Sequence, residues 1–552
     1  MKPPRAKHQV PPRPADDAGD LWVRQGREYW QQGALAQAVD CAQKALQHGA
    51  SPLDAYGLLG DSLLGLRQFE PALHAYESAL ALAPTNIYLR FLCGEALFHL
   101  ERYADVIACL TDLDPCNNQG LAVERAMTLG RAQQKLGMTE QAELHLLKAY
   151  MLQPGNEDAV CNLAGLYEES GRHALALPFL EPAVRQHPTS VRLHYNLGSD
   201  LSECGQTARS IDVLSRTLEL APHHIKAHQN LALALLLHGE LKTGWPHYAW
   251  RFNRHAAEGG QADWIPQTPQ LPNDLSGLMV RILGEQGIGD ELFFMRYLPA
   301  LRARGARVLY RLCNAKLQGL LPYLESTDLI DSLDTGDTTA DVSLLAGDLP
   351  FALGEPQIHR YPAPLKIHAD AAQVHNWKTR FPLLRRDRMR LGITWRAGTA
   401  PALQLSDQHR WLSKTMPLDA LLDVLAPLPV DLVVLQRNPR AEELQTIEQR
   451  VGAERLLDAS RHDNDLVELV ALLSQLDGLV GVSNTNVHLA AGLGKSIDTL
   501  VPVPYEFRWH AQGLSSPWFP AAAVYRQQLN GDWRPAMTQL QTQLLCRYNT
   551  PP

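Results

Sequence analysis

From Gly19 to about Phe252 the apolar residues recur three and four positions apart, the spacing of one buried helical face. Prolines at 84, 154, 188 and 222 close successive segments, and the last three stand 34 residues apart. Small and large residues return in the same frame. Leu59, Gly60, Ala72, Tyr76 and Ala79 precede Pro84; Leu129, Gly130, Ala142 and Ala149 precede Pro154; Leu163, Tyr167, Ala176 and Ala183 precede Pro188; Leu197 and Gly198 precede Pro222. An earlier unit carries Trp22, Gly26, Tyr29, Ala38 and Ala45, and a degenerate one carries Gly94 and Leu97, so about seven helical pairs are expected over residues 19–252. Small residues let paired helices approach while large ones fill the space between neighbours, so each pair is stable chiefly by stacking, in a superhelix with a concave groove. Asn162, Asn196 and Asn230 share the 34-residue spacing and occupy one position of three successive first helices. A primary amide both donates and accepts, which suits a ladder of them to an extended peptide backbone; the alternative is that each bonds a neighbouring turn.

The periodicity then changes. A stretch rich in Pro, Gln and Asp, residues 253–276, reads as a linker. Beyond it, apolar runs of strand length at 278–283 and 306–312, with shorter ones near Ile330 and Val342, outline a first lobe over 277–385. Runs at 390–395, 430–436 and 479–482, with helical patterns from Pro417 and over 441–451, outline a second over 386–533. A helix within 534–552 is expected to pack back on the first lobe. Strands alternating with helices at this spacing argue for parallel sheets covered by helices, and two such lobes enclose a cleft.

Two strand ends carry the candidate chemistry. After 278–283 come Glu285, Gln286, Gly287, Ile288, Gly289 and Asp290, where a strand gives way to a helix; open α/β sheets place ligands at such a crevice. The glycines run G-x-x-G-x-G and the next strand ends near Arg311 rather than an acid, which argues against NAD. After 479–482, Ser483, Asn484, Thr485 and Asn486 open a helix running through His488 to Leu493. Free amides and hydroxyls at such a start suit a phosphate, or form an ordinary helix cap.

A formal charge of -8 gives no electrostatic case for nucleic acid. The eight cysteines contain no C-x-x-C pair and are expected to be free thiols in a reducing compartment. Apolar runs stop well short of the roughly 18 residues a membrane span needs. Residues 1–18, basic and proline-rich without an apolar core, are expected to be a flexible tail of a soluble, cytoplasmic chain. His238, His247 and His255 lack ligand spacing and no D-x-D closes a strand, so neither a metal nor a cofactor is expected.

The 34-residue period is that of tetratricopeptide repeats, and the array resembles that of O-linked GlcNAc transferase, where asparagines at this position line the groove. Gly289-Asp290 followed by Pro299-Ala300-Leu301 resembles the N-terminal loop of heptosyltransferase-like GT-B glycosyltransferases. The longer run Glu285 to Asp290 looks like bacterial proteins in which tetratricopeptide repeats precede such a domain. His488-Leu489-Ala490 and Leu493-Gly494-Lys495 resemble that family's donor-phosphate segment, with Ser483 where the family often has aspartate.

The resemblance implies a repeat superhelix followed by a GT-B fold of two Rossmann-like lobes, and an inverting, metal-independent transferase. Its donor is a nucleotide sugar, a substrate rather than a cofactor, and its acceptor a protein in the repeat groove. It implies Asp290 as base, Arg396, Lys414, Gln436, Ser483, Asn484, Thr485, Asn486 and His488 around the donor, and Glu285, Gln286, Gly287 and Gly289 in the acceptor loop. Tyr505 to Trp509 would close over the donor. Two other readings stay open: the same chemistry on a saccharide or lipopolysaccharide, and a repeat scaffold without catalysis.

Overall fold

The computed structural model describes residues 18–115, 118–251, 270–325, 330–333, 339–385, 388–397, 414–462 and 465–548. The expected tail, Cys116, and most of the expected linker lie outside them. The chain forms two compact units that divide between Leu197 and Gly198.

The helical pattern is realised in seven successive pairs. These are α1 (Ala18–Gln31) and α2 (Leu35–Gln47), α3 (Pro52–Gly65) and α4 (Phe69–Leu82), α5 (Ile87–His99) and α6 (Tyr103–Leu110), and α7 (Gln119–Lys135) and α8 (Thr139–Leu152). They continue with α9 (Glu157–Glu169) and α10 (Leu177–Gln186), α11 (Val191–Glu203) and α12 (Thr207–Leu220), and α13 (Ile225–His238) and α14 (Leu241–Tyr248). In α3, α5, α7 and α11 a glycine faces a large residue 16 positions later. A Cβ on Gly60 would stand 2.4 Å from the Tyr76 ring, and one on Gly130 would stand 2.7 Å from Leu146. The helices close on each other because that carbon is missing. Asn86, Asn118 and Asn156 cap α5, α7 and α9, their side chains accepting from amides of the first turn.

The second unit contains two sheets. The first has the order β3-β2-β1-β4, all parallel, from β1 (Met279–Leu283), β2 (Arg307–Arg311), β3 (Ser332–Leu333) and β4 (Val342–Leu345). The second runs β12-β13-β11-β10-β5-β8-β9 and contains β5 (Arg390–Thr394), β8 (Asp431–Val434), β9 (Leu456–Asp458), β10 (Gly478–Val482), β11 (Ser496–Val501), β12 (Ser515–Ser516) and β13 (Phe519–Arg526). Only the edge pair β12 and β13 is antiparallel. Strands β6 (Arg396–Ala397) and β7 (Lys414–Thr415) form a separate two-stranded ribbon.

Counted along the chain from β5 and leaving out β12, the second sheet has the doubly wound order 3-2-1-4-5-6. Its order reverses between β5 and β10. The first sheet reverses between β1 and β4, but there the crevice is filled from within. Arg251, 6% exposed, donates from Nε to Glu285 Oε2 at 2.8 Å and from Nη1 to Asp348 Oδ1 at 2.7 Å, and Gly347 N donates to Glu285 Oε1 at 2.8 Å. Glu285, expected in the acceptor loop, is therefore a buried counter-ion that seals the first crevice.

One apolar core runs from Leu236, Trp245 and Tyr248 on the last helical pair through Phe293, Phe294 and Tyr310 to Leu479, Trp509 and Trp518. A second fills the other face of the seven-stranded sheet. The terminal helix Arg534–Tyr548 corrects an expectation here. Met537, Leu540, Leu544 and Tyr548 join this second core with Leu391, Leu432 and Val480, and Arg547 pairs with the buried Asp498. The helix completes its own sheet rather than crossing to the first, because its apolar stripe has no other face to cover.

At the last helical pair His228 Nε2 bonds the Pro222 carbonyl at 2.8 Å, so its neutral Nδ1 accepts from His247 Nδ1 at 2.7 Å; the ring also stacks on Trp250 at 4.1 Å. Burial, with His247, His223 and His224 nearby, lowers His228 to about 4, and burial also lowers His247. The unfolded chain, with histidines near 6.5, takes up these protons first, so stability is full above about pH 6.5 and declines as pH falls towards 4. Denaturation midpoints should fall over that window, and His228→Phe should make the decline shallower. Equal slopes in both proteins would remove the pair from the explanation.

Candidate functional site

The stretch that the sequence singles out forms the carboxyl end of β1 and the start of helix α15 (Ile288–Met295). Gln286 has φ of 65°, the left-handed turn that swings the chain into the helix, and its Nε2 donates to the Tyr248 hydroxyl at 3.2 Å. A Cβ on Gly284 would lie 2.0 Å from Glu291 Oε1. That closeness serves the protein itself. Glu291 is fully buried and its two oxygens each accept an amide, from Cys313 and Asn314, at 3.1 Å, joining the ends of β1 and β2. Burial raises this carboxyl and the two amide bonds oppose the shift. Gly289 serves the approach of the two sheets, since a Cβ there would meet His488 Cδ2 at 3.2 Å.

Asp290 stands in the first turn of α15, its Oδ2 accepting from Gly287 N at 3.3 Å. Its Oδ1 is held by Arg508 Nη2. Arg508 also donates from Nη1 to Glu506, whose other oxygen accepts from Lys414 Nζ at 2.5 Å and Ser483 Oγ at 3.1 Å. Thus Asp290, Lys414 and Ser483, widely separated in sequence, converge on Glu506 and Arg508. Burial alone would raise the Glu506 carboxyl, but Lys414 and Arg508 reverse this and hold it far below the usual range. Burial opposes the charge of Arg508, yet Glu506 and Asp290 keep it firmly protonated. His488 is 6% exposed and forced towards neutrality, first by burial and then by Arg508 and Arg296.

The remaining candidates cluster where β5 and β10 part. Asn484 caps the helix Thr485–Gly492, accepting from Asn486 N at 3.0 Å, and donates to Thr394 Oγ1 at 3.0 Å, bridging the ends of the two strands. Asn486 Nδ2 reaches the Leu435 carbonyl at 3.4 Å, and Thr485 remains partly exposed at the helix start. One of the amides expected to meet phosphate, that of Asn486, is therefore engaged by Asn484.

Gln436 is 3% exposed, and its Oε1 accepts from Trp395 N and Arg396 N, both at 2.9 Å, so it fixes the exit of β5. Arg396 is bound to Glu443 and the Asn438 carbonyl. Burial would raise Glu443, but Arg396, Arg440 and the Trp395 indole hold it at about 2. Sequence reasoning did not single out Arg251, Glu291 or Glu443, because buried charges leave no periodic trace. Glu506 and Arg508 were reached only as part of Tyr505 to Trp509, the segment expected to close over the donor, and not as an ion-paired couple.

Asn162 and Asn196 are half-buried on α9 and α11 and make no side-chain hydrogen bond among the described residues. Asn230 on α13 donates to Ser199 Oγ at 3.2 Å. Among the described residues no helix is long and apolar enough to cross a membrane.

Residues 31–113 match the family described as Anaphase-promoting complex, cyclosome, subunit 3. Protein FlbA of Caulobacter vibrioides is 25% identical over 516 residues, with 82% of each chain covered. A TPR repeat-containing protein of Methanocaldococcus jannaschii is 29% identical over 170 residues, which is 30% of this chain and 29% of that one. Of solved structures, pilF of Pseudomonas aeruginosa is 18% identical, covers 38% of this chain and 96% of its own, and has a TM-score of 0.34. MamA from Desulfovibrio magneticus RS-1 is 17% identical, covers 32% and 98%, and has a TM-score of 0.29. The helical half of the chain consists of tetratricopeptide-like repeats, followed by a region of parallel sheet and helices.

Removing Glu506 strands the partly buried Lys414 and leaves the buried Arg508 with Asp290 alone, whereas removing Asp290 leaves both cations on Glu506. Glu506→Gln should therefore cost roughly 3 to 5 kcal/mol, and Asp290→Asn about 1 kcal/mol, in urea unfolding of the full chain. The reverse ranking would contradict the network.

Proposed function

We propose that this chain is a glycosyltransferase of GT-B architecture that moves a sugar from a nucleotide-sugar donor to a protein acceptor bound by its repeats. The observation that carries the reading is the meeting of Asp290, at the end of β1, with Ser483 and Lys414 from the second sheet through Glu506 and Arg508. Crevices at the reversal points of parallel sheets are where such folds hold nucleotides, and among the described residues a buried ion triad fills the one between β1 and β4 but not the one between β5 and β10. The similarity to FlbA, long enough to include residues of both units, supports a chain in which repeats and sheets act together.

In this reaction the acceptor hydroxyl gives its proton to an Asp290 carboxylate oxygen as its own oxygen bonds the anomeric carbon. The bond from that carbon to the diphosphate breaks, and the electron pair leaves with the nucleoside diphosphate. Arg508 positions Asp290. Lys414, Ser483 and the positive end of the Thr485–Gly492 helix face the charge that grows on the leaving group. Substrate binding has to loosen the contact between Arg508 and Asp290. The unpaired amides of Asn162 and Asn196 support a peptide-holding role for the repeats, which are a protein-interaction fold.

A second reading, a scaffold without catalysis, is favoured by one observation: every carboxylate in the cluster is already ion-paired. The two readings separate on Asp290→Asn. In a transfer assay with the acceptor protein, catalysis predicts a fall in kcat of about 100-fold to 10,000-fold with KM for the donor little changed. Undiminished transfer removes Asp290 as base. Changing Asn162, Asn196 and Asn230 together to Ala should abolish transfer to protein while leaving donor hydrolysis intact; loss of both would assign the asparagines to folding.

A further inference from the structure

The turn between β1 and α15 is made by one left-handed residue, Gln286, with φ of 65°. Glycine adopts that conformation without strain, and glycines stand at 284, 287 and 289, yet this position carries a glutamine. A side chain retained where it strains the backbone has to be held by its surroundings. Gln286 Nε2 donates to the Tyr248 hydroxyl at 3.2 Å, and its carbonyl accepts from the Cys313 thiol at 3.6 Å. Glu285, one residue earlier, is paired with Arg251, three residues beyond Tyr248. The two residues that lead into the turn are thus both tied to the end of the last helical pair.

Beyond Gln286 the backbone carries the placement to Asp290. Asp290 N and Glu291 N both donate to the Gly287 carbonyl at 3.0 Å, and Asp290 Oδ2 accepts from Gly287 N at 3.3 Å. A rotation of the peptide between residues 286 and 287 therefore moves the first turn of α15 as well. Tyr248 also meets the partners of Asp290. Its ring, 6% exposed as a residue, packs edge-on to Phe507 at 6.3 Å, between Glu506 and Arg508 in the chain, and against Phe294 at 6.0 Å. Burial raises its hydroxyl to about 12, so the group stays protonated at any ordinary pH.

We infer that Tyr248 is a positioning residue: its hydroxyl, through Gln286, holds the left-handed turn and so sets where Asp290 stands relative to Arg508. The last helical pair is then a working part of the site as well as its mount. Gln286, expected to face the acceptor, instead acts on the loop itself. The placement of the loop does not depend on any activity; its bearing on catalysis rests on the transferase reading.

Tyr248→Phe keeps the ring and removes only the hydroxyl, so the full chain should fold. Hydrogen exchange of the full-length protein, followed in peptides covering residues 287–291, should be about 10-fold faster in this variant, with exchange in β10 unchanged. Gln286→Gly should exchange there within about 3-fold of the wild type, because glycine makes the turn without the bond, and adding Tyr248→Phe to it should change nothing further. In the transfer assay Tyr248→Phe should lower kcat by about 10-fold with KM for the donor unchanged, and should have no effect on the Gln286→Gly background. Unchanged exchange at 287–291 in Tyr248→Phe, an acceleration that persists in full when residue 286 is glycine, or an unchanged kcat in an active enzyme overturns the inference. A wild type that transfers nothing while the exchange pattern holds removes the transferase reading and supports the positioning.

Discussion

The second unit depends on one guanidinium. Arg508 stands between Glu506 of its own loop and Asp290 of the first sheet's α15, over the faces of Phe293 and Phe507 at 4.6 and 5.0 Å. A buried arginine is tolerable only when its charge and its donors are met, and here two carboxylates from different parts of the chain meet them. This contact ties the first turn of α15 to the loop after β11, and Gly289 lies against His488, where an added Cβ would be tightly placed at 3.2 Å. The same solution closes the first sheet, where Arg251 draws Glu285 and Asp348 together. One triad plugs a crevice; the other ties the end of β1 to the loop after β11.

Much of the fold was legible in the chain. Proline spacing and the return of small and large residues announced seven helical pairs; in four of them a glycine faces a large residue 16 positions on, and that requirement is local. Apolar runs announced the strands, since a parallel strand buried on both faces has nowhere to place a polar side chain. The placement of the terminal helix was misjudged. Its stripe of Met537, Leu540, Leu544 and Tyr548 is clear in sequence, but a stripe names no partner, and the nearer sheet was the one left uncovered.

The site was legible in part. Asp290, Ser483 and Lys414 were singled out separately, and the structure joins them through Glu506 and Arg508. Gln436 and Arg396 instead fix the exit of β5, and Glu285 is a counter-ion. A sequence shows that a polar residue ends a strand; which charge lies opposite is a tertiary fact, set by strand order. Arg296 makes the same point, since its want of a carboxylate among the described residues can be seen only from its neighbours in space.

The most direct measurement is thermal unfolding of the full chain against a panel of nucleoside diphosphates, with Lys414→Ala in parallel. A ligand at about 100 times its dissociation constant stabilises the native state by roughly 2.7 kcal/mol. If the crevice between β5 and β10 is a donor site, one nucleotide raises the Tm of the wild type and fails to do so in Lys414→Ala, which identifies the donor's base. A wild type indifferent to every nucleotide would contradict the transferase and leave a repeat scaffold.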